Sequence, residues 1–114
     1  MKKLILILLA VPAGAAGWGR ADTAWEAAFF AVHAADWGTT LDIQCEEYQE
    51  NNPLLSKCPS RGEVNRYFAF TGAAHAAVAY ALPNPYRRIW QVSWIAVQVD
   101  QYASNWRAGV RFNF

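Results

Sequence analysis

Apolar residues recur along this chain at the three- and four-residue spacing of α-helices, in three segments that each begin at a start signal. Thr23-Ala-Trp-Glu26 and Ser60-Arg-Gly-Glu63 fit the S/T-x-x-E capping box, and Asn84-Pro85 places an N-cap residue before a proline. Prolines also punctuate the joints between the segments. The pattern predicts helices over about residues 23–44, 60–82 and 84–106.

Small residues gather on one face of each of the first two predicted helices. Such faces let helix backbones approach closely, so they predict a tight antiparallel hairpin that the third helix covers with its larger side chains. The predicted fold class is therefore all-α, a three-helix bundle. The small residues are Ala24, Ala27, Ala28, Ala31, Ala34, Ala35 and Gly38 in the first helix, and Ala69, Gly72, Ala73, Ala76 and Ala77 in the second.

The first sixteen residues have the pattern of a bacterial export signal. Lys2 and Lys3 precede an apolar run from Leu4 to Val11, and Ala13-Gly-Ala15 supplies a small-x-small cleavage pattern. The run is short for a transmembrane helix, which needs about 20 residues. We predict a signal peptide over residues 1–16, with an uncleaved N-terminal anchor as the alternative, followed by a single helical domain over residues 17–114.

The C-terminal segment departs from the helical pattern. Gly109 ends the third helix, and residues 110–114 alternate apolar and polar positions like a strand. The capped helices leave too few residues for a barrel of strands. We expect a short strand-like tail over residues 109–114, docked on its own domain or on a partner's sheet edge.

Charge is unevenly distributed along the chain. Residues 22–50 hold seven acidic and no basic side chains, although the whole chain has a net charge of only +1. Either the acidic first helix pairs with basic segments inside one fold, or a bipolar surface recruits a charged partner. The basic residues are scattered and form no stripe, so we expect no nucleic-acid partner.

The many Trp and Tyr residues suggest contact with a membrane, whereas the acidic residues in the predicted helices argue against helices that span it. Six Trp and five Tyr suit a membrane–water interface. Acidic residues in the first and third helices make each of them a costly bilayer span, at about 2.5–3.5 kcal/mol per charge. We predict a compact domain in the periplasm or at the periplasmic face of a membrane, with a polytopic inner-membrane protein as the alternative.

The strongest candidates for chemistry are His75 and Asp36, which lie on apolar helix faces. In a hairpin joined over residues 45–60 they have comparable depth, so a carboxylate–imidazole contact can form. Structural pairing of a buried histidine is the simpler interpretation. No serine lies in an activating motif, and no glycine-rich phosphate loop or close metal-ligand spacing is present. We therefore predict no cofactor and no metal site.

Twelve residues separate Cys45 from Cys58, unlike the close pairs of redox-active cysteines. Export would place them where disulfides form, and a bridge would close the connector between the first two helices. If the helices instead thread the membrane, this connector faces the cytoplasm and both thiols stay reduced.

The order of several short motifs resembles a group of small, uncharacterised exported proteins of proteobacteria and their phages. Glu50-Asn-Asn-Pro53 agrees with the E-x-N-P of that group, whereas the cysteine pair is not part of its pattern. The resemblance implies an exported helical protein without an established activity, and a phage origin would favour a role in lysis or in altering the host envelope. The motifs are Ala35-Asp-Trp-Gly-Thr-Thr40, Tyr48-Gln-Glu-Asn-Asn-Pro-Leu-Leu55, Pro59-Ser60, Val64-Asn-Arg-Tyr-Phe68, His75 and Leu82-Pro83.

Two functional hypotheses follow. The first is a non-enzymatic cell-envelope protein that acts by association with a membrane surface or an envelope protein partner. The second is a small envelope hydrolase that uses His75 and Asp36.

Overall fold

Three helices make up most of the described chain. The computed structural model describes residues 17–43, 54–55 and 58–114. Helix α1 spans Arg20–Thr40, α2 spans Arg61–Ala81 and α3 spans Tyr86–Arg107. The predicted all-α three-helix bundle is confirmed. The predicted signal peptide and Cys45 lie outside the described residues, so the export signal and the bridge to Cys58 stay predictions.

The start of α2 follows the sequence signal. Ser60 is the N-cap, and its hydroxyl accepts a hydrogen bond from the Glu63 backbone N–H at 3.1 Å. Helix α3 begins one residue after Pro85, which is its N-cap. Both starts lie within two residues of the predicted ones, because capping and proline signals act locally.

Helix α1 begins three residues before the predicted start. Gly19 is the N-cap, and its N–H donates to Asp22 Oδ2 at 2.9 Å. Thr23, the expected cap, instead accepts a hydrogen bond from Trp18 Nε1 at 2.8 Å. The Asp22 carboxylate therefore performs the capping role, and the helix ends at Thr40 rather than near residue 44.

The relative directions of the helices follow from the pairs of residues that contact each other across them. His33 reaches the Phe68 carbonyl and Trp37 reaches Asn65, so α1 and α2 run antiparallel. Asp22 meets Arg87 at one end of the bundle and Asp36 meets Asn105 at the other. Helices α1 and α3 are consequently parallel, with α2 antiparallel to both.

The small-residue faces do not form the predicted hairpin interface. Most of these alanines are exposed, whereas Gly38 and Gly72 are buried. A Cβ at Gly72 would lie 3.2 Å from both His33 Nε2 and Phe30 Cε1, so glycine is needed at this one close approach. The prediction was wrong because alanine has too little side chain to favour burial over exposure. The exposed alanines are Ala24, Ala27, Ala28, Ala31, Ala34, Ala69, Ala73 and Ala77.

The C-terminal tail packs back onto the end of α1. The Asn113 N–H donates to the Gly38 carbonyl at 3.0 Å, and the Arg111 N–H donates to Asp42 Oδ2 at 2.7 Å. The rings of Phe112 and Phe114 lie over Gly38, where a Cβ would overlap them. The tail thus docks on its own domain, and it pairs with no strand because the described residues contain none.

Within the described parts of the chain, no helix combines the length and the hydropathy that crossing a bilayer would require.

Candidate functional site

The interior of the bundle is unusually polar. Eleven polar or charged side chains are buried among the described residues, against seven apolar ones. Nine of them, which we call the polar seam, run the length of the bundle and bond mainly to one another. They are Asp22, Glu26, His33 and Asp36 on α1, His75 on α2, and Arg87, Gln91, Gln98 and Asn105 on α3.

One end of the polar seam is an ion cluster around Asp22. Its carboxylate oxygens lie 3.1 Å from Arg87 Nη1 and 3.0 Å from Arg88 Nη2. Burial raises the pKa of the Asp22 carboxyl, but the Gly19 amide, Arg88 and Arg87 outweigh that effect and hold the pKa below its usual value. Arg87 also donates to the Ala79 carbonyl at 2.7 Å, so this fully buried side chain joins all three helices.

The next level of the polar seam holds the pair of Glu26 and His75. Glu26 Oε2 lies 2.8 Å from His75 Nδ1, and Gln91 Nε2 donates to Glu26 Oε1 at 3.1 Å. A carboxylate can only accept from the ring, so Nδ1 carries a proton. This proton fixes the orientation of the imidazole ring.

His33 forms the third level. Its Nε2 lies 2.9 Å from the Phe68 carbonyl and its Nδ1 lies 2.6 Å from Gln98 Oε1. The carbonyl only accepts, so Nε2 donates to it. The Gln98 side-chain amide can offer either its oxygen or its N–H group to Nδ1, so both ring nitrogens have a hydrogen-bond partner. Since Phe68 lies on α2 and Gln98 on α3, His33 links all three helices.

The structure does not bring Asp36 and His75 together. Asp36 Oδ1 accepts from Thr40 at 3.2 Å and from Asn105 Nδ2 at 3.2 Å, near the other end of the bundle. His75 is held by Glu26 instead. The carboxylate that contacts His75 therefore lies ten residues before the predicted Asp36, about 15 Å along α1.

The His75 ring is clamped between two aromatic rings. The Phe29 ring stacks on it with centroids 3.5 Å apart, and the Trp90 ring stacks at 5.4 Å. Trp90 Nε1 also donates to the His75 carbonyl at 3.2 Å. The second ring nitrogen, Nε2, is buried and has no hydrogen-bond partner among the described residues.

A cavity of about 170 Å³ adjoins His75 between α2 and α3. Its lining is largely aromatic and aliphatic, with few polar groups. Ala74, Val78 and Trp94 line the cavity and are exposed, so it can be reached from the outer surface. The remaining lining residues are Phe29, His33, Leu54, Tyr67, Thr71, His75, Trp90 and Gln98.

The outer surface of the helices is, by contrast, apolar. Phe70 is 74 % exposed and Ile89 is 59 % exposed, and many other large apolar side chains face outward. Trp25, Phe30, Val78, Tyr80, Tyr86, Val92, Trp94, Val97, Val99 and Trp106 share this exposure. The charged residues of α1 beyond Arg20 are all buried. The helices therefore place polarity inside and apolar surface outside.

Glu26, which contacts His75, and Gln91, which donates to Glu26, are not predicted as site residues from the sequence, although a signal was present. Residues 22, 26, 29, 33, 36 and 40 follow an alternating four- and three-residue spacing, which places all six on one face of α1. Four of the six are acids or histidine. The bundle buries this polar face rather than the face of small residues that was predicted to lie at the hairpin interface.

No cluster of three or more histidine, cysteine or acidic side chains suited to a metal ion occurs in the described portion of the chain. Scans against protein-family models, curated proteins and solved structures find nothing that matches this chain.

Proposed function

We propose that this protein is a non-enzymatic cell-envelope protein that associates with a lipid membrane through the apolar outer surface of its helical bundle. The observation that carries the proposal is the inverted distribution of polarity, with the polar seam inside and large apolar side chains outside. In proteins embedded in lipid, ionisable side chains face the bundle interior and pair with one another. Proteins exposed to water alone rarely present a large continuous apolar surface.

The surface that would contact lipid is an apolar belt. We define it as the outward side chains of residues 21–40 on α1, 67–81 on α2 and 89–99 on α3. No exposed charged side chain lies in these three segments. Exposed charges lie beyond the belt, at Arg20 on one side and at Arg66 and Asp100 on the other.

The height of the apolar belt favours one leaflet over a full span. The α1 segment holds 20 residues, the α2 segment 15 and the α3 segment 11, which correspond to about 30 Å, 22 Å and 16 Å of helix, so two of the three segments are too short to cross a bilayer. A bilayer hydrocarbon core is about 30 Å thick. Trp25, Tyr80 and Tyr86 at one edge of the belt suit the membrane interface. Together with the predicted export signal, these features favour the periplasmic face of a membrane.

Flotation with neutral phosphatidylcholine vesicles tests the proposal directly. The wild-type protein should float with the vesicles, and Phe70→Glu should reduce the partition coefficient by at least tenfold. Exposing a buried phenylalanine costs about 1.5–3 kcal/mol, and the added carboxylate disfavours lipid further. Ala108→Glu is the matched control, because this exposed residue lies beyond the apolar belt on the same protein.

Two outcomes would contradict membrane association. A wild-type protein that stays monomeric in detergent-free buffer and ignores the vesicles would remove the basis of the proposal. A stable homo-oligomer that buries Phe70 and ignores the vesicles would assign the apolar belt to a second copy of the chain instead.

A hydrolase remains the second candidate because Glu26 holds His75 with one nitrogen unpartnered, as an acid–base pair requires. The candidate nucleophile in the cavity, the Thr71 hydroxyl, donates to the Tyr67 carbonyl at 2.8 Å and is not directed by the histidine. If the protein hydrolyses ester substrates, Glu26→Gln should reduce the rate, whereas Asp36→Asn should leave it unchanged.

A further inference from the structure

The buried Nε2 of His75 has no hydrogen-bond partner among the described residues, and His75 lines a largely apolar cavity. The His75 residue is 3 % exposed. Buried polar atoms in proteins almost always have a hydrogen-bond partner, so each exception needs an explanation. A ligand that supplies the missing bond is one such explanation, and it does not depend on the proposed membrane association.

The chemistry of the missing partner follows from the other nitrogen. Nδ1 donates its proton to Glu26, so a neutral His75 has a bare Nε2 that accepts a hydrogen bond. The ligand must therefore offer a donor at this point. A hydroxyl group is the simplest neutral donor.

His75 lines the cavity, and the contacts of its ring leave one edge for it. Phe29 and Trp90 cover the two faces of the His75 ring, and Glu26, which holds Nδ1, does not line the cavity. The edge of the ring that remains for the cavity carries Nε2. Nε2 itself is buried, so a ligand in the cavity reaches this nitrogen after a small shift of the ring edge toward the cavity.

The size and lining of the cavity define the rest of the ligand. A dry, apolar cavity of about 150 Å³ in another protein binds benzene, and the cavity here is about 170 Å³. Leu54, Tyr67 and Trp94 supply walls that suit an apolar ring. We propose that this cavity is a binding site for a small, neutral, ring-sized apolar molecule whose single hydroxyl group donates to His75 Nε2.

Phenol and toluene are matched probes, because they have the same size and differ only in the hydroxyl group. We expect both probes to bind in the cavity, and phenol alone to gain a hydrogen bond to Nε2, worth about tenfold in affinity. Since phenol also loses more hydration than toluene on binding, this gain is read by comparing the phenol-to-toluene affinity ratio of the wild type with that of His75→Phe. Nitrogen-15 NMR of the imidazoles reports the contact directly, and the chain has only two histidines. The Nε2 resonance of His75 should move on phenol addition, whereas the His33 nitrogens, which both have partners, should move little.

Two further variants separate the cavity from nonspecific uptake of phenol by detergent or lipid. Ala74→Leu fills the cavity and should abolish binding of both probes. Ala73→Leu is the matched control on the neighbouring exposed position and should bind both normally. His75→Phe keeps a flat ring but removes the acceptor, so the phenol-to-toluene affinity ratio should fall about tenfold.

Three results would overturn the assignment. They are a phenol-to-toluene affinity ratio that is the same in the wild type and in His75→Phe, phenol binding without a change at His75 Nε2, and identical binding by the Ala73→Leu and Ala74→Leu variants. If His75→Phe fails to fold, the His75 Nε2 resonance on phenol addition and the two alanine variants still decide the question.

Discussion

The substitution Glu26→Gln should move the proton of His75 from Nδ1 to Nε2. Gln91 fixes the outcome, because its Nε2 donates to the Asp22 carbonyl at 3.1 Å and its Oε1 accepts from Arg88 Nε at 3.3 Å. Gln91 therefore continues to donate to position Oε1 of residue 26, and the new amide must place its oxygen there. The amide N–H₂ group then faces His75 Nδ1, which becomes an acceptor and leaves the ring proton on Nε2.

The size of the expected changes follows from the bonds involved. Two hydrogen bonds to a carboxylate become bonds to a neutral amide, and charged bonds are worth about 1.5–3 kcal/mol against about 0.5–1.5 kcal/mol for neutral ones. Since the buried charge is also removed, the free energy of unfolding should fall by only about 1–2 kcal/mol. The cavity changes more, because its acceptor becomes a donor. Benzonitrile, which only accepts, should bind the variant about tenfold more tightly than the wild type.

Long-range nitrogen-15 NMR distinguishes protonated from bare imidazole nitrogens, so it reads the tautomer without any ligand. In the wild type the bare nitrogen of His75 should be Nε2, and in Glu26→Gln it should be Nδ1. Glu63→Gln, which makes the same chemical change at the start of α2, should leave the wild-type spectrum. A Glu26→Gln variant that keeps Nε2 bare would refute the reasoning from Gln91.

Three further predictions concern stability, each measured by thermal or denaturant unfolding. Arg87→Met should lower the free energy of unfolding by about 3 kcal/mol, because it removes one partner of a buried ion pair. Arg107→Met, at an exposed position of the same helix, should change it little, and equal losses would contradict the assignment. Because the pKa of Asp22 is lowered in the folded state, its stabilising contribution is complete above the unfolded pKa of about 4 and is lost as the pH falls through the lower folded value. Asp22→Asn should therefore be less stable than the wild type at neutral pH, with a difference that shrinks in strong acid; a difference independent of pH would exclude this linkage. Gly62→Ala, with its nearest neighbouring atom 3.5 Å from the new Cβ, should raise the free energy of unfolding by up to about 1 kcal/mol. Gly72→Ala should show no such gain, and an equal gain would mean that the rings around Gly72 move aside freely.

The helices could be predicted from the sequence because their signals are local. Ser60 sets the start of α2 through its hydrogen bond to the Glu63 N–H, and Pro85 sets the start of α3 through the steric restriction of its ring. Both effects act within four residues. The predicted start of α1 is wrong because Asp22 accepts from the Gly19 N–H and so caps the helix three residues earlier, while Trp18 donates to the Thr23 hydroxyl. These contacts are also local, and the capping-box pattern at Thr23 competes with them.

The site was harder to predict, because it depends on the register between helices. Counted from the connector over residues 45–60, Asp36 lies nine residues away and His75 fifteen, a difference of six residues. Six residues amount to about 9 Å along a helix, enough to change which side chains meet. The observed register, with His33 beside Phe68, instead places Glu26 beside His75. Only long-range contacts could supply that register.

The polar seam also determines when the bundle can form. Hydrogen bonds between α1 and α3 in the seam join residues 65 to 69 positions apart. At a synthesis rate of about 5–20 residues per second, α1 waits roughly 3–14 s for its α3 partners to be made. During that interval Glu26 and Asp36 have no α3 amide to bind, and a lipid environment would penalise them. We therefore expect the chain to assemble in water first and to meet a membrane only as a finished bundle.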